Sequence, residues 1–206
     1  MRSPRLFQEK KMTLAVLTKD FRLAAQVVEE AARRGLTARH VIEPAEIPLS
    51  ARAVVMKRGE FGTVSRPPSL YAEDFTSTTS LVDRAVELAY SKKTVRNAVI
   101  AIDPGKTIGA AFMADELLLR TESYTDLHRF SQTVVEFFKT HPTSTHTILL
   151  GSGAPEFREE ILRDIRSKTP DAVVKNVSEK NTSKLSRGID ELAAAMLPRM
   201  KRRPGK

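Results

Sequence analysis

The stretch Asn97-Ala-Val-Ile-Ala-Ile-Asp103-Pro-Gly-Lys-Thr-Ile-Gly-Ala-Ala-Phe112 decides the fold of this chain. The consecutive apolar residues 98–102 predict a strand that is buried on both faces. An acid, a Pro-Gly turn and a second apolar run at 108–113 follow, and this order predicts an antiparallel hairpin. Because burying an unpaired carboxylate is costly, Asp103 needs a cation, a hydrogen-bond cluster or water as its partner.

The composition limits the class of protein. A chain of 206 residues is long enough for one large domain or two small ones, and 41% hydrophobic residues are enough to build a core. No apolar run approaches the roughly 18 residues of a membrane helix, and no secretory signal is visible at the N-terminus. The chain has no cysteine, which is typical of proteins in a reducing compartment. We therefore expect a cytoplasmic protein with no membrane partner.

The net charge of +9 favours an acidic partner, and nucleic acid is the commonest acidic partner. Basic residues are concentrated near both ends, at Arg2, Arg5, Lys10, Lys11, Lys201, Arg202, Arg203 and Lys206. Two tails that only increase solubility explain the same pattern, so charge alone does not decide the function.

The N-terminal part of the chain predicts a small α/β domain at residues 12–66, preceded by a flexible basic arm at 1–11. Strands are expected at 13–18, 38–42 and 52–56. Asp20 is suited to cap a helix after the first strand, and Gly35 is suited to end that helix. The segment 67–94 begins with Pro67-Pro68 and predicts a linker followed by a connecting helix at about 80–92.

The C-terminal part, residues 95–200, predicts a mixed five-stranded sheet with the element order βββαβαβα, followed by a basic tail at 201–206. The expected strands are 98–102, 108–113, 117–122, 145–150 and 172–177, and the expected helices are 126–140, 155–167 and 189–200. In this arrangement the first, fourth and fifth strands are parallel, so their carboxyl ends share one edge of the sheet. Clefts in open α/β sheets form at that edge.

Three carboxylates are expected at or over this edge. Asp103 follows the first strand, Glu179 follows the fifth strand, and Asp190 begins the last helix. The loop 151–153, of sequence Gly-Ser-Gly, follows the fourth strand. Carboxylate oxygens suit Mg²⁺ or Mn²⁺, and two such ions roughly 4 Å apart can activate water and stabilise a leaving oxygen of a phosphate ester.

The stretches Ile102-Asp103-Pro104-Gly105, Ser178-Glu179-Lys180 and Ile189-Asp190-Glu191-Leu192-Ala193-Ala194 together resemble the RNase H-like superfamily, in its RuvC/YqgF branch of Holliday junction resolvase-like nucleases. The resemblance covers residues 95–200, about half of the chain. It implies that Asp103 is the central metal ligand and that Glu179 and Asp190 complete the site.

Two positions depart from the pattern of that family. Ser178 stands where the family has its first acid after the fifth strand. Gly151 or Ser152 stands where the RuvC branch has a glutamate, and the nearest acid, Glu156, follows four or five residues later. This second departure is closer to the YqgF pattern.

The resemblance implies a metal-dependent endonuclease that hydrolyses phosphodiesters in structured nucleic acid, either a DNA junction or RNA, by two-metal chemistry. It also implies a homodimer, because a four-way junction offers two symmetric strands. The candidate contacts to nucleic-acid phosphates are Lys106, Lys180, Lys184 and Arg187.

Other interpretations of the same residues remain open. A catalytically silent protein that binds nucleic acid or the ribosome has the same fold, and Asp103-Pro-Gly-Lys-Thr-Ile-Gly also resembles the first phosphate loop of actin-like and sugar-kinase ATP-binding proteins. Each acid also has a structural explanation. Asp103 suits a turn, Glu179 suits an exposed strand end, and Asp190 complements a helix dipole.

Overall fold

The computed structural model describes residues 12–64, 66–90, 94–152 and 155–177. The chain divides into two compact units between Thr94 and Val95. Each unit contains its own β-sheet. The predicted arm at 1–11, the predicted last helix at 189–200 and the tail at 201–206 lie outside the described residues.

The first unit contains a four-stranded parallel sheet and two helices. Its elements are β1 (Thr13–Leu17), α1 (Phe21–Arg33), β2 (Thr37–Val41), β3 (Ala51–Met56), β4 (Ser69–Tyr71) and α2 (Thr78–Tyr90). The strands lie in the order β2-β1-β3-β4, and every pairing is parallel.

The ends of α1 confirm the sequence prediction. Oδ1 of Asp20 accepts hydrogen bonds from the backbone N–H groups of Arg22 and Leu23, at 3.0 and 3.1 Å. After the helix, Gly35 has a φ of 73°, in the left-handed region that glycine adopts without strain. A polar cap and a glycine therefore fix the length of α1.

The predicted connecting helix of the segment 67–94 is present as α2, but the part predicted as a linker contains a strand. Residues 69–71 form β4, which pairs with β3, and α2 packs against α1 and β3. A three-residue strand is too short to show alternation of polar and apolar residues, so no pattern in the sequence predicts it. The first unit therefore includes this whole segment as far as the structure describes it.

The two helices of the first unit are joined by buried ion pairs. Arg34 donates to Oδ1 of Asp83 at 2.6 Å, to Oε1 of Glu30 at 2.8 Å and to the carbonyl of Thr79 at 3.0 Å. The side chains of Arg34, Glu30 and Asp83 are only 4–5% exposed. Removing one partner of a buried pair leaves an uncompensated charge, so this arginine fixes the position of α2 on α1.

The second unit contains a mixed five-stranded sheet. Its elements are β5 (Asn97–Asp103), β6 (Ile108–Ala114), β7 (Leu117–Tyr124), α3 (Leu127–Lys139), β8 (Thr145–Leu150), α4 (Pro155–Lys168) and β9 (Val173–Asn176). The strand order is β7-β6-β5-β8-β9. The hairpin β5-β6-β7 is antiparallel, whereas β8 and β9 are parallel to β5. The predicted fold class, α/β with an RNase H-like mixed five-stranded sheet after a small α/β unit, is confirmed.

Aromatic residues fill the core between this sheet and α3. The ring of Phe112 on β6 lies 5.2 Å from the ring of Phe137 on α3, in an edge-to-face arrangement. Ile100 and Ile148, on the neighbouring strands β5 and β8, are paired in register and are both buried. Ile161 of α4 is also buried.

Among the helices described, none has the length and apolar character needed to cross a membrane.

We predict that Arg34→Met destabilises the protein by about 3–5 kcal/mol, because the buried Asp83 would lose the Arg34 guanidinium and Glu30 would keep only its pair with the exposed Arg33. Urea unfolding followed by circular dichroism measures the change. Arg33→Met is the matched control, because Arg33 also pairs with Glu30 but its side chain is 68% exposed. Equal stability of the two variants would contradict the assignment of Arg34 as the buried link between the helices.

Candidate functional site

Three parallel strands of the second unit end at the same edge of the sheet. We call this the carboxyl edge; it is formed by Asp103 at the end of β5, Gly151 after β8 and Asn176 at the end of β9. Ile102 is in register with Leu150, and Leu150 is in register with Asn176. The predicted convergence of these strand ends is therefore confirmed.

Asp103 occupies the last position of the central strand of the sheet. It is exposed, whereas Ile100 and Ile102 before it are buried. Its partner in the hairpin is Gly109, which adds no side chain beside the carboxylate. The carboxylate thus lies at the surface of the carboxyl edge, on a strand whose position is fixed by neighbours on both sides.

Gly151, directly after β8, lies close to the end of β5. Its N–H donates to the carbonyl of Ile102 at 2.9 Å. A Cβ atom at this position would lie 3.2 Å from the same carbonyl oxygen, 3.4 Å from Cδ of Pro104 and 3.9 Å from Cα of Asp103. A larger residue would therefore push against the backbone that carries Asp103.

A cavity of about 210 Å³ lies at the carboxyl edge between β8, β9 and the start of α4. We call it the edge pocket. Its described lining consists of Leu150, Gly151, Ser152, Pro155, Arg158, Asn176 and Val177. Arg158 donates to Oδ1 of Asn176 at 2.7 Å and to Oε1 of Glu159 at 3.1 Å. The guanidinium group is thus held against the end of β9.

Three polar side chains of β7 form a cluster and contact one another. Arg120 lies with its guanidinium carbon 3.8 Å from the centre of the Phe112 ring and donates through Nε to Glu122 at 2.7 Å. The Tyr124 hydroxyl donates to the same carboxylate. Burial and the adjacent Glu122 raise the pKa of Tyr124. These residues stabilise the sheet through their contacts with one another.

The predicted site residues are only partly within the described structure. Asp103 lies at the carboxyl edge as predicted, and Lys106 is exposed in the turn that follows it. The other predicted residues lie outside the described residues: Glu179, Lys180, Lys184, Arg187 and Asp190. Over the described ranges, no group of three or more metal-ligating side chains comes together. A metal site formed by Asp103, Glu179 and Asp190 therefore stays a prediction.

Arg158 and Asn176 are a pair that sequence reasoning missed. They are 18 positions apart, on a helix and on a strand, and neither belongs to a recognisable motif. The only signal was that a polar residue, Asn176, comes where a strand reaches the carboxyl edge. Arg158 lies in a helix with equal numbers of acidic and basic residues, so nothing in the sequence distinguished it from the other charged residues of that helix.

The positive charge of the chain is unevenly distributed. The described residues contain nearly equal numbers of acidic and basic side chains, with one more acid than bases, so the whole of the net charge of +9 belongs to residues 1–11, 91–93 and 178–206. Any electrostatic attraction to a polyanion must therefore come mainly from these three segments.

No known protein family and no curated protein matches the chain. Among solved structures, it is similar to a protein of Bacteroides thetaiotaomicron VPI-5482 that is described as having an actin-like ATPase fold and unknown function. The sequence identity is 9%, the match covers 53% of this chain and 42% of that one, and the TM-score is 0.29. The chain thus spans less than half of that protein, and a similarity this low supports no conclusion about function.

We predict that Gly151→Ala destabilises the protein by about 1–3 kcal/mol, because the added methyl group meets the carbonyl of Ile102, which is held in the sheet. Thermal unfolding measures the change. Gly105→Ala is the matched control at the same edge, since a Cβ there meets only the carbonyl of Thr107 at an ordinary 3.6 Å. If both substitutions had the same effect, the close approach of Gly151 would not be a constraint.

Proposed function

We propose that the second unit is a divalent-metal-dependent nuclease that hydrolyses phosphodiester bonds in structured nucleic acid. The observation that carries the proposal is the position of Asp103. It is an exposed carboxylate at the end of the central strand of an RNase H-like sheet, at the edge where clefts of α/β sheets form.

The chemistry of the donor suits Mg²⁺ or Mn²⁺. Asp103 offers carboxylate oxygens, which hard cations prefer, and it is exposed. In the proposed site Glu179 and Asp190 supply the remaining carboxylates. When bound, the metal supplies a Lewis acid that lowers the pKa of water and stabilises the leaving oxygen of the phosphodiester.

The described residues of the chain have three separate tasks in this proposal. Asp103 holds the cation and so fixes where the scissile phosphate lies. Gly151 keeps the ends of β5 and β8 close, which holds the Asp103 backbone in place. Lys106, exposed in the turn beside Asp103, contacts a phosphate of the bound strand.

The basic segments at 1–11 and 178–206 give the protein its affinity for the nucleic-acid backbone. Lys180, Lys184 and Arg187 in the second of these segments are the proposed phosphate contacts nearest to Glu179 in the sequence. Such contacts are independent of base sequence and release counterions, so they make binding sensitive to salt.

We predict that Asp103→Asn lowers the rate of cleavage at least about 100-fold, because the loss of several kcal/mol of transition-state stabilisation has an effect of this size. The assay uses four-way junction, flap and single-stranded DNA and RNA with Mg²⁺ or Mn²⁺. Binding of the same substrates, measured in parallel by gel shift, is expected to persist in the variant.

Glu116→Gln is the control for this experiment, because Glu116 is an exposed acid of the same sheet but lies in the turn between β6 and β7. Cleavage by Asp103→Asn at the wild-type rate would refute the nuclease proposal. Binding without cleavage by the wild-type protein in either metal would support the catalytically silent alternative.

We also predict that replacing Lys201, Arg202, Arg203 and Lys206 by Gln makes nucleic-acid binding less dependent on salt. The slope of the logarithm of the binding constant against the logarithm of salt concentration should fall by roughly 0.9 for each phosphate contact that is lost on duplex DNA. Fluorescence anisotropy at several salt concentrations measures both slopes. An unchanged slope would mean that the tail does not contact phosphates.

A further inference from the structure

The edge pocket lies one strand away from Asp103. In the sheet order β5-β8-β9, Gly151 at the end of β8 lies between Asp103 on β5 and Val177 after β9. The backbone N–H of Val177 donates to the carbonyl of Leu150 at 2.8 Å, which continues the pairing of the two strands beyond β9. Neighbouring strands are about 4.8 Å apart, so the pocket and Asp103 are within the reach of one nucleotide.

The walls of the edge pocket are apolar. Leu150, Pro155 and Val177 line it, and Gly151 adds no side chain. The cavity of about 210 Å³ is smaller than pockets for drug-sized ligands, which measure roughly 300–1,000 Å³. Its size and its apolar walls suit a single planar ring better than a hydrated ion.

The polar side of the edge pocket offers hydrogen-bond donors. Arg158 has five N–H donors, and its described hydrogen bonds involve only Nη1 and Nη2. Asn176 uses its side-chain oxygen to accept from Arg158, so its remaining polar group is the amide NH₂, a donor. A ligand that fits this side must present acceptors.

We propose that the edge pocket binds one unpaired base of the nucleic-acid substrate and prefers a base with two adjacent acceptors. Guanine presents O6 and N7 in this way, and a planar guanidinium group contacts both atoms at once. Adenine presents a donor, its N6 amino group, beside N7, so it fits the donors of Arg158 and Asn176 less well.

The path between the two sites passes over Gly151. Asp103 lies on the sheet face opposite to that of its neighbour Ile102, whereas Asn176 is aligned with Leu150 and Ile102. Because Gly151 has no side chain, the sugar of a bound nucleotide can cross the edge of the sheet there. The base then enters the edge pocket while its phosphate lies beside the cation that Asp103 is proposed to hold. The inference rests on the proposed function, since it places the phosphate at Asp103.

The experiment compares single-stranded oligonucleotides of equal length in EDTA, by fluorescence anisotropy. One contains only deoxyadenosine, the second has a single central deoxyguanosine, and the third has 7-deazaguanine in place of that guanine, which removes the N7 acceptor. We expect the wild-type protein to bind the guanine-containing strand about tenfold more tightly than either of the others, the effect of one good bidentate contact.

Two variants test whether the preference for guanine arises in the edge pocket. Arg158→Lys keeps the charge but loses the planar fork of donors, and Ser152→Phe fills the pocket from its exposed side. Both are expected to lose the preference for guanine while still binding all three strands. Arg163→Lys and Ser167→Phe are the matched controls, because both are exposed positions of α4 that do not line the edge pocket. They should keep the preference.

Equal affinity of the wild-type protein for the three strands would overturn the proposal, and so would a preference that persists in Arg158→Lys and Ser152→Phe. The measurement is made without metal and without cleavage. If Asp103→Asn still cleaves at the wild-type rate but guanine is preferred, the nuclease site fails and the base pocket stands. If Asp103→Asn is inactive but no base is preferred, the reverse holds.

Discussion

The proposed site of the second unit is organised around one backbone hydrogen bond, from the N–H of Gly151 to the carbonyl of Ile102, at 2.9 Å. It joins the ends of β8 and β5, immediately before the residue that carries the exposed carboxylate. Glycine suits this position because a Cβ atom there would lie 3.2 Å from the Ile102 carbonyl oxygen and 3.4 Å from the ring of Pro104. The same glycine borders the edge pocket, so the two parts of the proposed site share one structural constraint.

In the first unit, the edge of the sheet where the carboxyl ends of β1 and β3 lie is organised differently. Glu60 accepts hydrogen bonds from the hydroxyl of Thr18 and the N–H of Lys19, at 2.7 and 2.8 Å. Lys57 binds Asp20 at 2.8 Å, and this hydrogen bond lowers the pKa of Asp20. The polar groups at this edge are thus occupied by one another, whereas the second unit has a cavity at its carboxyl edge.

Much of the fold could be predicted from the sequence because its strongest signals are local. The apolar run before Asp103 and the Pro-Gly turn determine the hairpin, and Asp20 and Gly35 determine the ends of α1. The short strand β4 could not be predicted, because three residues show no period and the adjacent Pro67-Pro68 is typical of linkers. The partners of Arg34 were equally hidden, since Asp83 is 49 positions away.

The site could be predicted only where a residue ends a predicted strand. That rule placed Asp103 at the carboxyl edge correctly, because the carboxyl ends of parallel strands meet. The same rule could not predict the edge pocket, which depends on how α4 lies over β9 and on the hydrogen bond from Arg158 to Asn176. Contacts between a helix and a strand that is distant in the sequence are determined by packing, so the spacing of residues does not predict them.

The central claim is that Asp103 holds a divalent cation. The most direct test is a crystal structure of the full chain soaked in Mn²⁺, with the ion located by anomalous scattering. The account predicts an anomalous peak about 2 Å from a carboxylate oxygen of Asp103, and no peak there in crystals of Asp103→Asn. A fully ordered edge with Asp103 distant from every Mn²⁺ ion, or with apolar side chains covering it, would contradict the account.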